Sequence, residues 1–307
     1  LAAFGQQAQR PRIAWVAMAS RATGGQFLGP FIEGMAALGY LPDRNISLHP
    51  FWGENSREVL ERVVLEAAAL KPMLFVSQGP ALQALRKLPG TTPVVFGNSS
   101  DPVESGVAQS IARPGGRFTG VSFLAYALVG KRVELLHQVA PKARRLAVLS
   151  NSEHRGDAKE FQATREAAAS LGLQVAHFPA TTPVEVDRAL AGIGAARSEA
   201  LVVHPDGLMV ESRRAIASFA LAQRIPCVSG WSILADVGSL MTYGPVLPES
   251  YRRLAYFVDR ILRGAKPAEM PIEMPSVFEL VVNLKTARAL GIAIPPGILV
   301  RADRVIE

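Results

Sequence analysis

Two stretches of this chain carry the same strand and helix signals in the same order. The helix ending AALGY (36–40) has its counterpart in ASLGL (169–173), and LKPMLFVSQGP (70–80) in ARSEALVVHPDG (196–207). TPVVFGN (92–98) answers to IPCVSGW (225–231), and RFTGVSF (117–123) to GSLMTYG (238–244). Within each stretch, short apolar runs of buried-strand length alternate with segments of helical periodicity. That alternation implies parallel sheets covered on both faces. A chain of 307 residues is long enough for two domains. The expected fold class is therefore α/β, with two doubly wound parallel-sheet lobes of one topology related by an internal pseudo-repeat.

The first half is expected to have strands at 12–20, 46–51, 73–76, 94–96 and 118–123, and helices at 31–38, 56–70 and 80–88, with a loop at 21–29. Ser56 is placed to cap the second helix, whose Val59, Leu60, Val63, Val64 and Ala67 keep helical spacing. Between 94–96 and 118–123 lies a polar turn, Gly97 to Ser100. A helix to about residue 113 is expected after it, with Asp101 as N-cap, Pro102 at the first position and Glu104 three residues after the cap. The second half is expected to have strands at 145–150, 173–178, 200–204 and 226–229, and helices at 159–171, 184–195 and 211–224. Beyond 245 come a helix at 250–262, a strand at 278–282, a helix at 284–290 and a last strand at 298–300. A tail holding both element types lets the chain cross between lobes at 121–124, 243–245 and 266–275. The expected lobes are then 1–122 with 246–270, and 123–245 with 271–307, joined by a three-stranded hinge.

Composition narrows the function. Half the residues are hydrophobic (49%), yet no run approaches the roughly 20 apolar residues that span a bilayer. The formal charge of +7 invites a nucleic-acid reading, but the 33 basic residues are spread along the chain without a basic run interleaved with aromatics, so no nucleic-acid partner is expected. Cys227 has no partner for an internal disulfide and sits in an apolar strand. His49, His137, His154, His177 and His204 lack metal-ligand spacing, and no HExxH, GxSxG or P-loop pattern occurs. Neither catalysis, a cofactor nor a metal is expected. The lead-in LAAFGQQAQRPR fits the tail beside a removed secretory signal, or an arbitrary start.

Ligands of open α/β sheets bind beyond the carboxyl ends of strands. There the chain offers Gln78 and Gly79, with Pro80 starting a helix whose amides at Ala81 and Leu82 face a carboxylate. It also offers Asn98, Ser99 and Ser100 at the next turn, and Ser20 with Arg21 after the first strand. In the second half Asn151 follows a strand, Asp206 is placed to pair with an ammonium, and Trp231, equivalent to Asn98, is a stacking wall. Tyr243 lies at an expected crossing. Each has a plainer alternative: a strand–helix turn for Gln78-Gly79, a helix cap for Asp206, an inward-packed indole for Trp231, a solvated guanidinium for Arg21.

Several phrases resemble the ABC-importer solute-binding proteins of the type I periplasmic-binding fold, in the branch with tryptophan- and tyrosine-binding members. These are FIEGMAALGYLPDRNISL, NSSDPVESGVAQSIARPGGRFTGVS, GKRVELLHQVAPKARRLAVL, GSLMTYGP, YRRLAYFVDRILRGAKPAEMPIEMP and FELVVNLKTARALGIAIPPGILVRADRVIE. The resemblance runs from about Arg12 to Glu307 and departs at Arg21, Gly24-Gly25 and Trp231. It implies a periplasmic, non-enzymatic protein that closes on an amino acid or aromatic carboxylate in an interlobe cleft and presents it to a membrane permease. Two other two-lobed classes need features this chain does not display. A nucleotide-sugar glycosyltransferase needs a diphosphate-binding glycine loop, and the effector-sensing half of a regulator normally follows a DNA-binding helical segment.

Overall fold

The computed structural model describes residues 10–123 and 125–307. It divides into two compact units. The first holds the described residues up to Gly97, with Val107–Val121 and Tyr251–Ile272; the second holds Asn98–Gly106, Ser122–Ser250 and Glu273–Glu307.

The chain begins β1 (Arg12–Ala17), α1 (Arg21–Ala37), β2 (Ser47–Trp52), α2 (Arg57–Ala69), β3 (Leu74–Gln78), α3 (Ala81–Lys87), β4 (Val94–Asn98) and β5 (Phe118–Ser122). These strands form one sheet in the order β2-β1-β3-β4-β5. The pairs β1/β2, β1/β3 and β3/β4 are parallel. Ile13 to Ala17 and Leu74 to Val76 are buried, as strands covered on both faces must be. Helix α2 lays Leu60, Val63, Val64 and Ala67 against Ala14, Val16 and Phe75. The Ser56 Oγ accepts from the Val59 amide at 3.3 Å, a cap worth about 1 kcal/mol.

There follow α4 (Val129–Val139), β6 (Arg145–Asn151), α5 (Asp157–Ser170), β7 (Gln174–Ala180), α6 (Pro183–Ala195), β8 (Ala200–Val203), α7 (Gly207–Glu211), α8 (Arg213–Ala222), β9 (Cys227–Ser229), α9 (Ser232–Ala235) and β10 (Met241–Pro245). The chain ends with α10 (Leu247–Leu262), β11 (Phe278–Asn283), α11 (Leu284–Leu290), α12 (Pro296–Leu299) and β12 (Arg304–Ile306). The second sheet runs β12-β11-β10-β9-β8-β6-β7 and is parallel except for the antiparallel pair β10/β11.

Several elements differ from the sequence reading. The expected loop at 21–29 is the start of α1, which runs through Pro30 and begins on a Ser20 cap. Its glycines look like loop residues, but a Cβ on Gly24 would stand 2.2 Å from the Trp52 ring, so close packing requires that glycine. The helix expected from Asp101 to 113 is a run of turns. Asp101 does cap it, accepting from Val103 and Glu104, but Gly106 at φ +71° ends it after one turn. The segment 211–224 breaks at Ser212 into α7 and α8. Residues 298–300 lie in and just after α12, because Pro295-Pro296 starts a helical turn there; the last strand is β12. Tyr243 lies in β10 and pairs with Leu280 of β11.

Candidate functional site

In the first unit, Ser20 Oγ accepts from the Thr23 amide at 3.3 Å and is committed to capping α1. The Arg21 backbone amide donates to Glu54 Oε1 at 3.2 Å, and the residue is exposed. Gln78 ends β3, buried, beside the Tyr251 hydroxyl; burial pushes that phenol up, and the Gln78 hydrogen bond draws it partway back. Tyr251 also stacks near Phe27 and Trp15, at 5.0 and 6.1 Å between centroids. The Gly79 amide donates to Gly97 O at 3.1 Å. The Leu82 amide is not free as expected: it donates to Gly79 O at 3.2 Å.

The second unit gathers more of the candidates. Strands β6 and β8 pair side by side, so Asn151 and the segment His204-Pro205-Asp206 leave the same edge of the sheet. Asn151 Nδ2 donates to Asp206 Oδ1 at 2.9 Å. The Leu208 amide donates to the same oxygen at 2.8 Å, so Asp206 also caps α7. Both residues line a small pocket with Ser150, His154, Asp157, Glu160, His204 and Pro205.

The turn after β4 belongs to this unit. Asn98 Nδ2 donates to Ser100 Oγ at 2.8 Å, and Asn98 O receives the Phe123 amide at 2.7 Å. Ser99 Oγ lies 2.8 Å from His154 Nε2. Asn98, Ser99 and Ser100 are each buried. Trp231 follows β9 and is 7% exposed. Tyr243 packs against the second unit's core, and its carbonyl accepts from Arg132 Nε at 2.9 Å.

Lining the pocket is a buried ionisable cluster that the sequence reading does not single out. His154 Nδ1 faces Glu160 Oε1 at 3.4 Å, and His204 Nδ1 faces Asp157 Oδ1 at 3.8 Å and Glu160 Oε2 at 3.9 Å. Asp157 Oδ1, Glu160 Oε2 and His204 Nδ1 are buried without hydrogen-bond partners. Burial pushes the Glu160 carboxyl up to about 8, against the pull of Arg132 and with the help of Asp157 and Asp206. Burial raises Asp157 too, but the facing His177 and His204 rings and Ser150 outweigh it and hold that carboxyl well below the usual range. Burial lowers His204 despite Asp157. Arg132, fully buried on α4, falls to about 10 through burial and stays charged at neutral pH. One signal was available in the sequence, the three-residue spacing of His154, Asp157 and Glu160 ahead of two strand histidines. Among the described residues no group of His, Cys, Asp and Glu has metal-holding geometry.

The raised Glu160 makes stability depend on pH. Its folded value lies above the unfolded 4.5, so its stabilising contribution is full below pH 4.5 and is lost as pH rises through about 8. His204, depressed from 6.5, acts in the opposite sense, adding stability as pH rises toward 6.5. Comparison with Glu160→Gln isolates the first effect. The variant is expected to match the wild type near pH 5 and to exceed it at pH 9 by about 4 kcal/mol. Thermal denaturation followed by circular dichroism at both pH values measures this, and an unchanged gap between them would contradict the assignment.

A family model described as ABC transporter substrate binding protein matches residues 26–306. A tyrosine-binding protein of Clostridioides difficile (strain R20291) is 23% identical over 265 residues, covering 85% of this chain and 75% of that protein. An ABC domain from Streptococcus pneumonia, solved in complex with L-Trp, superposes with a TM-score of 0.89 at 22% identity, over 97% of this chain and 100% of that one. A conserved domain protein from Vibrio cholerae gives 0.91 at 21% identity, with the same coverage.

Proposed function

This chain belongs to the family of ABC transporter substrate-binding proteins, with the type I periplasmic-binding fold, and we propose that its solute is an aromatic α-amino acid. The observation that carries the reading is the pairing, in one unit, of a hydroxyl turn with an acidic cap. Asn98 donates to Ser100 Oγ, which leaves the Ser100 proton to face an acceptor such as a carboxylate, and Ser99 stands beside it. Asp206, oriented by Asn151 and the Leu208 amide, offers an ionic acceptor for an ammonium. A carboxylate and an ammonium on one small molecule define an amino acid. The aromatic side chain is favoured by the tyrosine-binding relative and the L-Trp-bound neighbour, whose ligands are carried over here as a proposal.

Delivery to a membrane permease in the periplasm follows from the same reading, as does the absence of catalysis. No helix among the described residues is long and apolar enough to cross a membrane. A thermal-shift panel on refolded protein, with aromatic and branched amino acids, aromatic acids, sugars and nucleotide-sugars, tests the proposal. At 100 times its dissociation constant a true solute adds about 2.7 kcal/mol. Stabilisation by L-tryptophan or L-tyrosine is expected; stabilisation by nucleotide-sugars alone would overturn the reading.

A further inference from the structure

His154 does more than line the pocket. Its Nδ1 receives the Gly156 backbone amide at 3.2 Å, so that nitrogen carries a lone pair. The ring proton of the neutral imidazole is then on Nε2, which faces Ser99 Oγ at 2.8 Å. A hydroxyl that accepts from Nε2 points its own proton elsewhere. We propose that His154 is a positioning residue that fixes the Ser99 hydroxyl as a hydrogen-bond donor, so that the site selects ligands carrying a carboxylate. The backbone amide of Gly156, two residues along the same loop, sets the tautomer, and the half of His154 turned toward Ser99 transmits it.

The surroundings agree with this assignment. Glu160 Oε1 approaches Nδ1 at 3.4 Å, and an ionised carboxylate there would compete by drawing a proton onto Nδ1. Burial keeps Glu160 protonated at neutral pH, which removes that competition. The side chain of His154 is 9% exposed, so water has little access to exchange roles with the ring. Asn98 does for Ser100 what His154 does for Ser99, and the turn presents two hydroxyl protons side by side.

The inference rests on the reading of this turn as the carboxylate half of the site, and two measurements keep the two ideas apart. The first needs no ligand: imidazole ¹⁵N shifts of the full chain at pH 7, with the His154 signals identified by their loss in His154→Gln. The expected result is a bare Nδ1 and a protonated Nε2; a proton on Nδ1 would overturn the proposal. The second is calorimetry with L-tryptophan and with tryptamine, which lacks the carboxylate. His154→Ala is expected to weaken L-tryptophan about tenfold, leave tryptamine unaffected, and add nothing in a Ser99→Ala background. His154→Gln, whose amide can donate in place of Nε2, is expected to recover most of that affinity. Equal losses for both ligands, or full additivity with Ser99→Ala, would overturn the proposal. If the wild type binds neither compound, the aromatic amino acid reading fails, and the tautomer measurement still decides the role of His154.

Discussion

Replacing Asp206 with Ala is expected to weaken binding of L-tryptophan or L-tyrosine at least about 100-fold. Truncating one partner of a buried, hydrogen-bonded charge pair costs about 2–5 kcal/mol, and Asp206 is 4% exposed. Its carboxylate serves two ends, however, because the same Oδ1 that meets Asn151 also caps α7 through the Leu208 amide. Asp206→Asn separates them. Its side-chain oxygen keeps the cap, so the melting temperature should stay near that of the wild type while the ionic partner for an ammonium is gone. Calorimetric titration with both variants checks this. A full-affinity Asp206→Asn protein would show that Asp206 is only a cap.

The second large effect concerns the fold. Gly244 lies in β10 against the chain leaving β9, and a Cβ there would stand 1.8 Å from Gly230 O. No rotamer relieves that, since the obstacle is backbone. Gly244→Ala must push β10 from Gly230, disturbing the adjacent Tyr243 carbonyl that holds buried Arg132. Losses of at least about 3 kcal/mol are expected, at the upper end for overpacking a core. Urea denaturation gives the magnitude, and faster amide exchange in β9, β10 and β11 locates it. A wild-type urea midpoint would contradict the geometry. Gly120 is under a similar constraint in the other unit, where a Cβ would stand 2.1 Å from Phe96 O.

Much of the fold was legible because strand runs and helix stripes in this chain are mostly uninterrupted. β3, β4 and β8 are short, wholly buried strands built on apolar runs, and α2 is an amphipathic stripe opened by a good cap. The reading fails where a tertiary contact overrides local preference. Gly24 and Pro30 argue against α1, yet the Trp52 ring needs the glycine. The sequence reading assigns no helix to α4, whose apolar stripe is broken by Arg132, a charged residue buried like its neighbours. Conversely, Asp101, Pro102 and Glu104 signal a helix start correctly but say nothing of how soon Gly106 ends it.

The site was legible only in part, for a related reason. Strand-end positions point to Asn98, Ser99, Asn151 and Asp206 individually, because such ends are where polar side chains face ligands. What joins them is long-range: Ser99 to His154 spans 55 residues, and so does Asn151 to Asp206. His154, Asp157 and Glu160 look like scattered polar residues until the side-by-side pairing of β7, β6 and β8 places His177 and His204 beside them. Cys227 needed no such help. Its buried strand position reads as inert, and burial pushes the thiol up to about 12.

The central claim is that an aromatic amino acid is held by the Ser99-Ser100 turn at one end and Asp206 at the other. A crystal structure of the refolded chain grown with L-tryptophan or L-tyrosine tests it most directly. The account predicts a carboxylate within hydrogen-bond distance of both serine hydroxyls and an ammonium on Asp206. A bound amino acid that leaves those hydroxyls and Asp206 unengaged would contradict it.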